Sequence, residues 1–442
     1  AIFGRGGVMR LHGGVSRLLG GVRRWRGRVR RGSGRERKVD TQNHNTMKRW
    51  KIGFLGGGQL ARMSAAAAFR LGFDVNVYSD RPEVEPLEQM IGRAVKGSFE
   101  DVEAMVAFAK TVDVVTLENE FVDADVLEEV RKVSGTPILP SPETFRRIGD
   151  KYSEKKTFEA AGLRVAPYAR IGGKEREEDR GHGHDVSTSA DDVIRFGEMH
   201  GYPFLLKSSK GGYDGYGNIT VRDDAGARAG FASLGGTEGH ELVAEAFVDF
   251  THELAVQVAR NSTGLVVYPC CETVQSNHIN VAVRSPALVG ERIRREAQEM
   301  AVAAMEAMDA VGLFAFEFFL TKDGELVLNE SAPRPHNSGH YTLEGCATSQ
   351  FENHVRAVCG LPLGSSALVR PAAVMINLLG TEESDGSFRH VEQALAEPFG
   401  ALHHYGKLQS RPGRKMGHYT LLGEDPEEVF ARAMQVTEGI EI

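Results

Sequence analysis

Cysteine is scarce: the 442 residues contain four, Cys270, Cys271, Cys346 and Cys359. Two are adjacent, a poor geometry for bridging each other, and none forms a C-x-x-C pair. That argues against a disulfide scaffold and for free thiols in a reducing compartment, each read as a small buried apolar residue. No apolar run is long enough to span a bilayer, so no membrane partner is expected. Acids are nearly missing from residues 1–46, which hold twelve Arg or Lys against two acids in a chain whose formal charge is −7. The remainder therefore carries −17, and an acidic body does not favour extended binding to nucleic acid. The G-x-G-x-x-G fingerprint is also missing: the first glycine turn reads Gly56-Gly57-Gly58-Gln59-Leu60-Ala61. An NAD-dependent dehydrogenase is left with little support.

What is present suits two or three domains around a sizeable core. Residues 1–46 are a basic leader whose default state is disorder. An organelle transit peptide or a nucleic-acid tail stay open as its role, and Met47 marks an alternative start. From Lys51 the chain reads KIGFLGGGQLARM, a strand, a glycine turn and a helix over 61–71, then a strand over 74–78. Glycines there would let backbone N–H groups at a helix start approach an anion. A strand over 112–117 ends in Glu118 and Glu120, at the edge where open α/β sheets bind ligands. A helix follows over 151–161, and residues 172–190 read as a glycine-rich surface insertion.

The chemistry is concentrated further on. The strand 202–207 ends in Lys207 and runs into SSKGGYDGYGN, a loop with four glycines within 211–217. Free amides in such a loop can fold over phosphates, with Lys207 as a point charge beside them. A strand over 242–250 bears Glu245 and is followed by Glu253, placed to meet ribose hydroxyls. After strands over 254–258 and 266–269 and a helix over 292–310 comes FAFEFFLTKDGELVLNE. A turn at Lys322-Asp323-Gly324 makes it a β-hairpin that brings Glu317 close to Glu330. Facing carboxylates repel unless a cation lies between them, and magnesium, an oxygen-ligand cation, is the candidate. Arg334, His336, Asn337 and Ser338 follow as a polar loop for an anionic small molecule. RPGRKMGH places Arg411, Arg414 and Lys415 together, which is best explained by a bound anion.

This order of parts resembles the ATP-grasp superfamily and, within it, the 5-(carboxyamino)imidazole ribonucleotide synthetase family of purine biosynthesis. The resemblance runs from about residue 51 to 423 through GGGQLARM, TLENEF, LKSSKGGYDGYGN, NESAPRPHNSGHYTLEGCATSQFENHVRAVCGLPLG and YGKLQSRPGRKMGH. It implies an α/β chain with α+β lobes: a basic leader (1–46), an N-terminal βαβ pre-ATP-grasp domain (47–147), an ATP-grasp domain (148–355) and a small β-rich C-terminal domain (356–442).

It also implies roles. Lys151 and Lys207 would contact ATP phosphates under a loop of Gly212, Tyr213, Asp214, Gly215, Tyr216, Gly217 and Asn218. Glu245, Ala246, Phe247 and Val248 would hold adenine, Glu253 ribose, with Asn329 beside the nucleotide. Glu317 and Glu330 would bind one or two Mg²⁺ ions. Gln59, Glu118, Tyr213, Asp214, Arg334, His336, Asn337 and Ser338 would surround 5-aminoimidazole ribonucleotide, with Lys407, Arg414 and Lys415 on its phosphate. Bicarbonate is the other substrate. Lys207 and Arg334 would act electrostatically, and His336 or Asp214 would take the amine proton. Gln275 stands where many relatives have His, and replaces a titrating contact by a neutral one. The resemblance further implies a homodimer, in the cytoplasm unless the leader directs it to an organelle. Other ATP-grasp ligases (a formate-dependent glycinamide ribonucleotide transformylase, a biotin carboxylase) lack a place for PRPHNSGH and RPGRKMGH. A non-catalytic nucleotide sensor would not need both acids and Lys207.

Overall fold

The computed structural model describes residues 47–172, 189–211, 217–276 and 279–442. The first strands form a parallel sheet ordered β3-β2-β1-β4, from β1 (Lys51–Leu55), β2 (Asp74–Ser79), β3 (Val95–Lys96) and β4 (Val114–Leu117). β1 buries four of its five residues, and the alanine-rich helix Gln59–Arg70 packs Leu60, Met63 and Ala65 inward. Alanine's high helix propensity and small volume let this helix lie close to the sheet.

A second, four-stranded antiparallel sheet is ordered β5-β8-β6-β7: β5 (Tyr168–Ile171), β6 (Phe204–Ser208), β7 (Asn218–Val221) and β8 (Leu242–Ala246). The strand expected over 242–250 is corrected here. It stops at Ala246, and the chain crosses through 247–249, with Phe247 exposed, into the third sheet at β9 (Phe250–Asn261).

The third sheet runs β14-β13-β9-β11-β12-β15-β17-β16, with β10 (Gly264–Val267) also on β9. Its other members are β11 (Cys271–Ser276), β12 (Ile279–Ser285), β13 (Gly312–Thr321), β14 (Leu326–Ala332), β15 (Ala372–Leu379), β16 (Gly400–His404) and β17 (Lys415–Gly423). The C-terminal strands thus extend the sheet that carries the acidic hairpin, through the antiparallel pair β12·β15.

Two helices lock this arrangement. Lys151–Ala160 starts at Asp150, whose side chain accepts from Ser153 N–H at 2.9 Å, and it buries Glu154, Lys155 and Phe158. Gln350–Val358 lies across both halves: His354 accepts at Nδ1 from Leu313 N–H (3.3 Å) and meets Thr116 Oγ1 at Nε2 (2.9 Å). The boundary expected at 355/356 falls inside this helix. No helix among the described residues is long and apolar enough to cross a membrane, and all four cysteines are buried and outside any disulfide.

Candidate active site

The β13·β14 pair sets Glu317 directly opposite Glu330. Directly paired residues point to the same face of a sheet, so the two carboxylates confront each other. On β14 the register slips by one residue, Phe318 pairing with Leu328, so Asn329 is the extra residue of a bulge. Its carbonyl is freed from the ladder and accepts from Lys155 Nζ at 3.1 Å. Burial, then Glu330 and Glu253, push the Glu317 carboxyl up to about 8. A carboxyl that strains toward protonation is relieved by a cation. Among the described residues no three or more His, Cys, Asp or Glu groups are placed to hold a metal by themselves. Two facing carboxylates fit Mg²⁺, which takes its other ligands from phosphates and water.

Lys207 is the last residue but one of β6 and is 8 % exposed. Its Nζ lies 2.6 Å from Glu245 Oε2, while Lys155 Nζ lies 2.6 Å from Oε1 of the same carboxylate. Burial would raise Glu245, but the two ammonium groups hold it near 2. Burial would lower Lys207, yet Glu245, Glu330 and Glu154 together keep it above its ordinary value. Lys207 and Glu330 therefore share one electrostatic neighbourhood. The Glu245 side chain is not turned to solvent as an adenine contact: it is 3 % exposed and serves the lysines. Next to Lys155, Glu154 accepts from Ser331 N–H (2.9 Å) and Oγ–H (2.6 Å), and burial raises it to about 7. Lys151 opens the same helix, its N–H donating to Ser209 carbonyl at 2.9 Å.

Gly217 and Asn218 flank the glycine loop, Asn218 pairing with Lys207, while Gly212, Tyr213, Asp214, Gly215 and Tyr216 lie outside the described residues. Ala246 and the stretch with Phe247 and Val248 join the second and third sheets, as a nucleotide-binding linker would. Glu253 accepts from Gln275 Nε2 at 2.8 Å, so Gln275 is tied to the acid expected at the ribose.

Arg334 is gripped by Glu120, Nε to Oε2 at 2.6 Å and Nη2 to Oε1 at 2.9 Å. His336 Nδ1 faces Ser338 Oγ at 2.9 Å, and Gln257 Nε2 donates to that hydroxyl at 2.9 Å. Nδ1 also accepts from Ser338 N–H at 3.4 Å, so in the neutral ring the proton is assigned to Nε2. Burial, Arg334 and Lys415 push His336 down to about 3. So weak a base takes up a proton poorly at neutral pH, and these surroundings favour His336 as a neutral hydrogen-bond donor. Ser338 is 0 % exposed, and its hydroxyl orients His336. Asn337 exchanges amide hydrogen bonds with Asn377 at 2.8 and 2.7 Å, which fixes its orientation.

At the other end of the same sheet, burial and the nearby charges of Arg414, Lys415 and Arg411 lower Lys407 to about 8. Its Nζ donates to Lys415 carbonyl at 2.6 Å. Burial, Arg411 and Arg81 depress Arg414. Lys415 bears on Glu317 and His336 as well as on Lys407, so one cation spans the acidic hairpin and the basic cluster. Glu118 faces Lys407 too, and burial raises it to about 7.

The anion expected at the first helix start is the chain's own. Gly58 N–H donates to Glu118 Oε2, and Gly57 N–H to Glu85 Oε2 at 3.0 Å. Gln59, the first helical residue, sits half-buried beside this pair. Lys155, Glu154, Glu120, Gln350 and Arg81 were not legible as site residues. Only Glu120 carried a signal, its place at the carboxyl end of β4. A cleft of about 1180 Å³ opens on the Glu120 side, lined by Asp150, Ser153, Lys210 and Gly211 among others, and Lys207, Glu317 and Glu330 are not in its lining.

Three domain families match in this order: the ribonucleotide synthetase preATP-grasp domain over 47–148, the ATP-grasp domain over 184–351, and the phosphoribosylaminoimidazole carboxylase C-terminal domain over 373–432. The chain is 36 % identical to the N5-carboxyaminoimidazole ribonucleotide synthase of Bacillus subtilis, covering 85 % of this chain and 92 % of that one. It is 39 % identical to the phosphoribosylaminoimidazole carboxylase of Ogataea methanolica over 84 % of its length, but spans only 66 % of that relative. Among solved structures, N5-carboxyaminoimidazole synthase from Aspergillus clavatus in complex with ADP and 5-aminoimidazole ribonucleotide superposes with a TM-score of 0.76 at 35 % identity, covering 88 % of this chain and 98 % of that one.

Proposed function

We propose, from the premise that the chain belongs to the N5-carboxyaminoimidazole ribonucleotide synthase family, that it carboxylates the exocyclic amine of 5-aminoimidazole ribonucleotide. ATP and bicarbonate are consumed, and N5-carboxyaminoimidazole ribonucleotide, ADP and phosphate are formed, a step of purine biosynthesis. One observation carries the reading: Glu317 faces Glu330 across β13 and β14, on the sheet whose strand β17 begins at Lys415, the residue whose carbonyl holds Lys407. A triphosphate and a phosphorylated second substrate have complementary places on one sheet.

Bicarbonate is a poor electrophile because attack at its carbon must expel hydroxide. Its oxygen therefore attacks the γ-phosphorus of ATP, a P–O bond to ADP breaks, and carboxyphosphate forms. The amine then attacks the carboxyl carbon, a C–N bond forms, phosphate leaves, and the amine loses a proton. Glu317 and Glu330 would hold Mg²⁺, which supplies charge neutralisation at the phosphates when bound. Lys207 leaves Glu245 to meet phosphate oxygens. Arg334, braced by Glu120, brings its positive charge to the anionic carboxylating species. His336 Nε2–H donates a hydrogen bond and orients the acceptor. Lys407, Arg414 and Lys415 hold the ribonucleotide phosphate.

The test is phosphate release from Mg-ATP with single omissions. Release that requires aminoimidazole ribonucleotide, with carboxylated product requiring bicarbonate, supports the reading. Equal turnover with formate and glycinamide ribonucleotide would replace it by a transformylase. The homodimer implied by the family resemblance is tested separately by light scattering.

A further inference from the structure

We infer that Lys155 is a positioning residue for nucleotide binding: by holding the Glu245 carboxylate it leaves Lys207 free to exchange that carboxylate for a phosphate of the incoming nucleotide. The inference rests on the ATP-dependent reading above and adds to it a residue that never touches the nucleotide.

The geometry distinguishes the two lysines. Lys155 is buried on all sides, its side chain 3 % exposed, on the helix Lys151–Ala160 behind the site. It has two anchors, Glu245 Oε1 at 2.6 Å and the bulged Asn329 carbonyl at 3.1 Å. Lys207 is the last residue but one of β6, and its side chain keeps 10 % exposure. Among the described residues its hydrogen bond is to Glu245 Oε2. One carboxylate here faces two ammonium groups, so one of them can turn to a phosphate while the carboxylate stays paired. The exchange is possible because Lys155 stays: when Lys207 departs, Glu245 is still paired, and no carboxylate is stranded in the interior. Glu154 reinforces the arrangement, since its bonds to Ser331 tie the same helical turn to β14 just beyond Glu330.

Without the Lys155 ammonium, Glu245 would keep Lys207 as its sole partner and the exchange would strand a buried charge. Lys155→Met, which keeps the length of the side chain, should raise the Kd for a non-hydrolysable Mg-ATP analogue by about tenfold or more, with the KM for ATP following it. The affinity for adenosine, which has no phosphate, and the KM for aminoimidazole ribonucleotide should move less than about threefold. ATP affinity that stays within that margin, or adenosine and ribonucleotide affinities that fall in parallel with it, would overturn the inference. If the variant does not fold, a structure of the unaltered chain with the ATP analogue decides. Lys207 Nζ on a phosphate oxygen with Lys155 Nζ still on Glu245 supports the exchange. Lys155 on phosphate, or Lys207 still on Glu245, overturns it. A chain that binds ATP in this way but carboxylates nothing would refute the functional reading and leave the exchange standing. A Lys155→Met chain that carboxylates with an unchanged KM for ATP would refute the exchange alone.

Discussion

A methyl group added to Gly58 would lie 2.0 Å from Oε1 of Glu118. The glycine is required by closeness and not by conformation, since its φ of −73° is open to any residue. Gly58→Ala should therefore displace Glu118 from the first helix start and from the neighbourhood of Lys407. The expected result is a fall of about tenfold or more in kcat/KM for the ribonucleotide, with the KM for ATP little changed, read by steady-state kinetics.

Glu317→Gln and Glu330→Gln should each lower kcat by about 10²- to 10³-fold, because each removes half of the cation site. Neither should impair folding. The two carboxylates repel in the absence of a cation, so without Mg²⁺ the melting temperature should stay level or rise. Calorimetric scans with and without Mg-ATP check this: Mg-ATP should stabilise the unaltered chain and lose most of that effect in the variants.

Lys407 gives a pH dependence of definite sign. Its folded value, about 8, lies below the ordinary 10.5. The ammonium proposed to hold the phosphate is therefore lost as pH rises through about 8, and the KM for the ribonucleotide should climb there while that for ATP stays flatter. Lys407→Arg should abolish the climb. A depressed lysine also means that the folded state disfavours its charged form. Lys407→Met should accordingly raise the melting temperature at pH 7 while weakening ribonucleotide binding.

Glu120→Gln should uncouple Arg334. Replacing one partner of this bidentate, mostly buried pair leaves a guanidinium short of its counter-charge, at a cost of about 2 kcal/mol in stability. kcat should fall, and raising the ribonucleotide concentration should not restore it. Urea titration and kinetics on one preparation separate the two effects.

Local motifs made much of the fold and site legible. The Lys322-Asp323-Gly324 turn fixed a hairpin, and the hairpin set Glu317 against Glu330. What stayed hidden was set by distance along the chain. Glu120 and Arg334 are 214 residues apart, and no pattern near either names the other. Lys155 is one of three lysines on the helix Lys151–Ala160, and only the direction of the helix turns it, and not Lys156, fully inward. His336 looked like a base because imidazole titrates near neutrality. Its burial beside Arg334 and Lys415, which removes that property, is a tertiary fact. Residues 356–442 read as a separate β-rich module because the pairing of β12 with β15 leaves no trace in either strand's own residues.

That pairing has a consequence for dissection of the gene. Cutting the chain between the acidic hairpin and residue 372 would strip β12 of its neighbour β15 and leave a row of unsatisfied amides and carbonyls along Ala282, Val283, Arg284 and Ser285. Fragments made separately should clump; produced together, they should re-form the missing seam and regain activity only as a complemented pair.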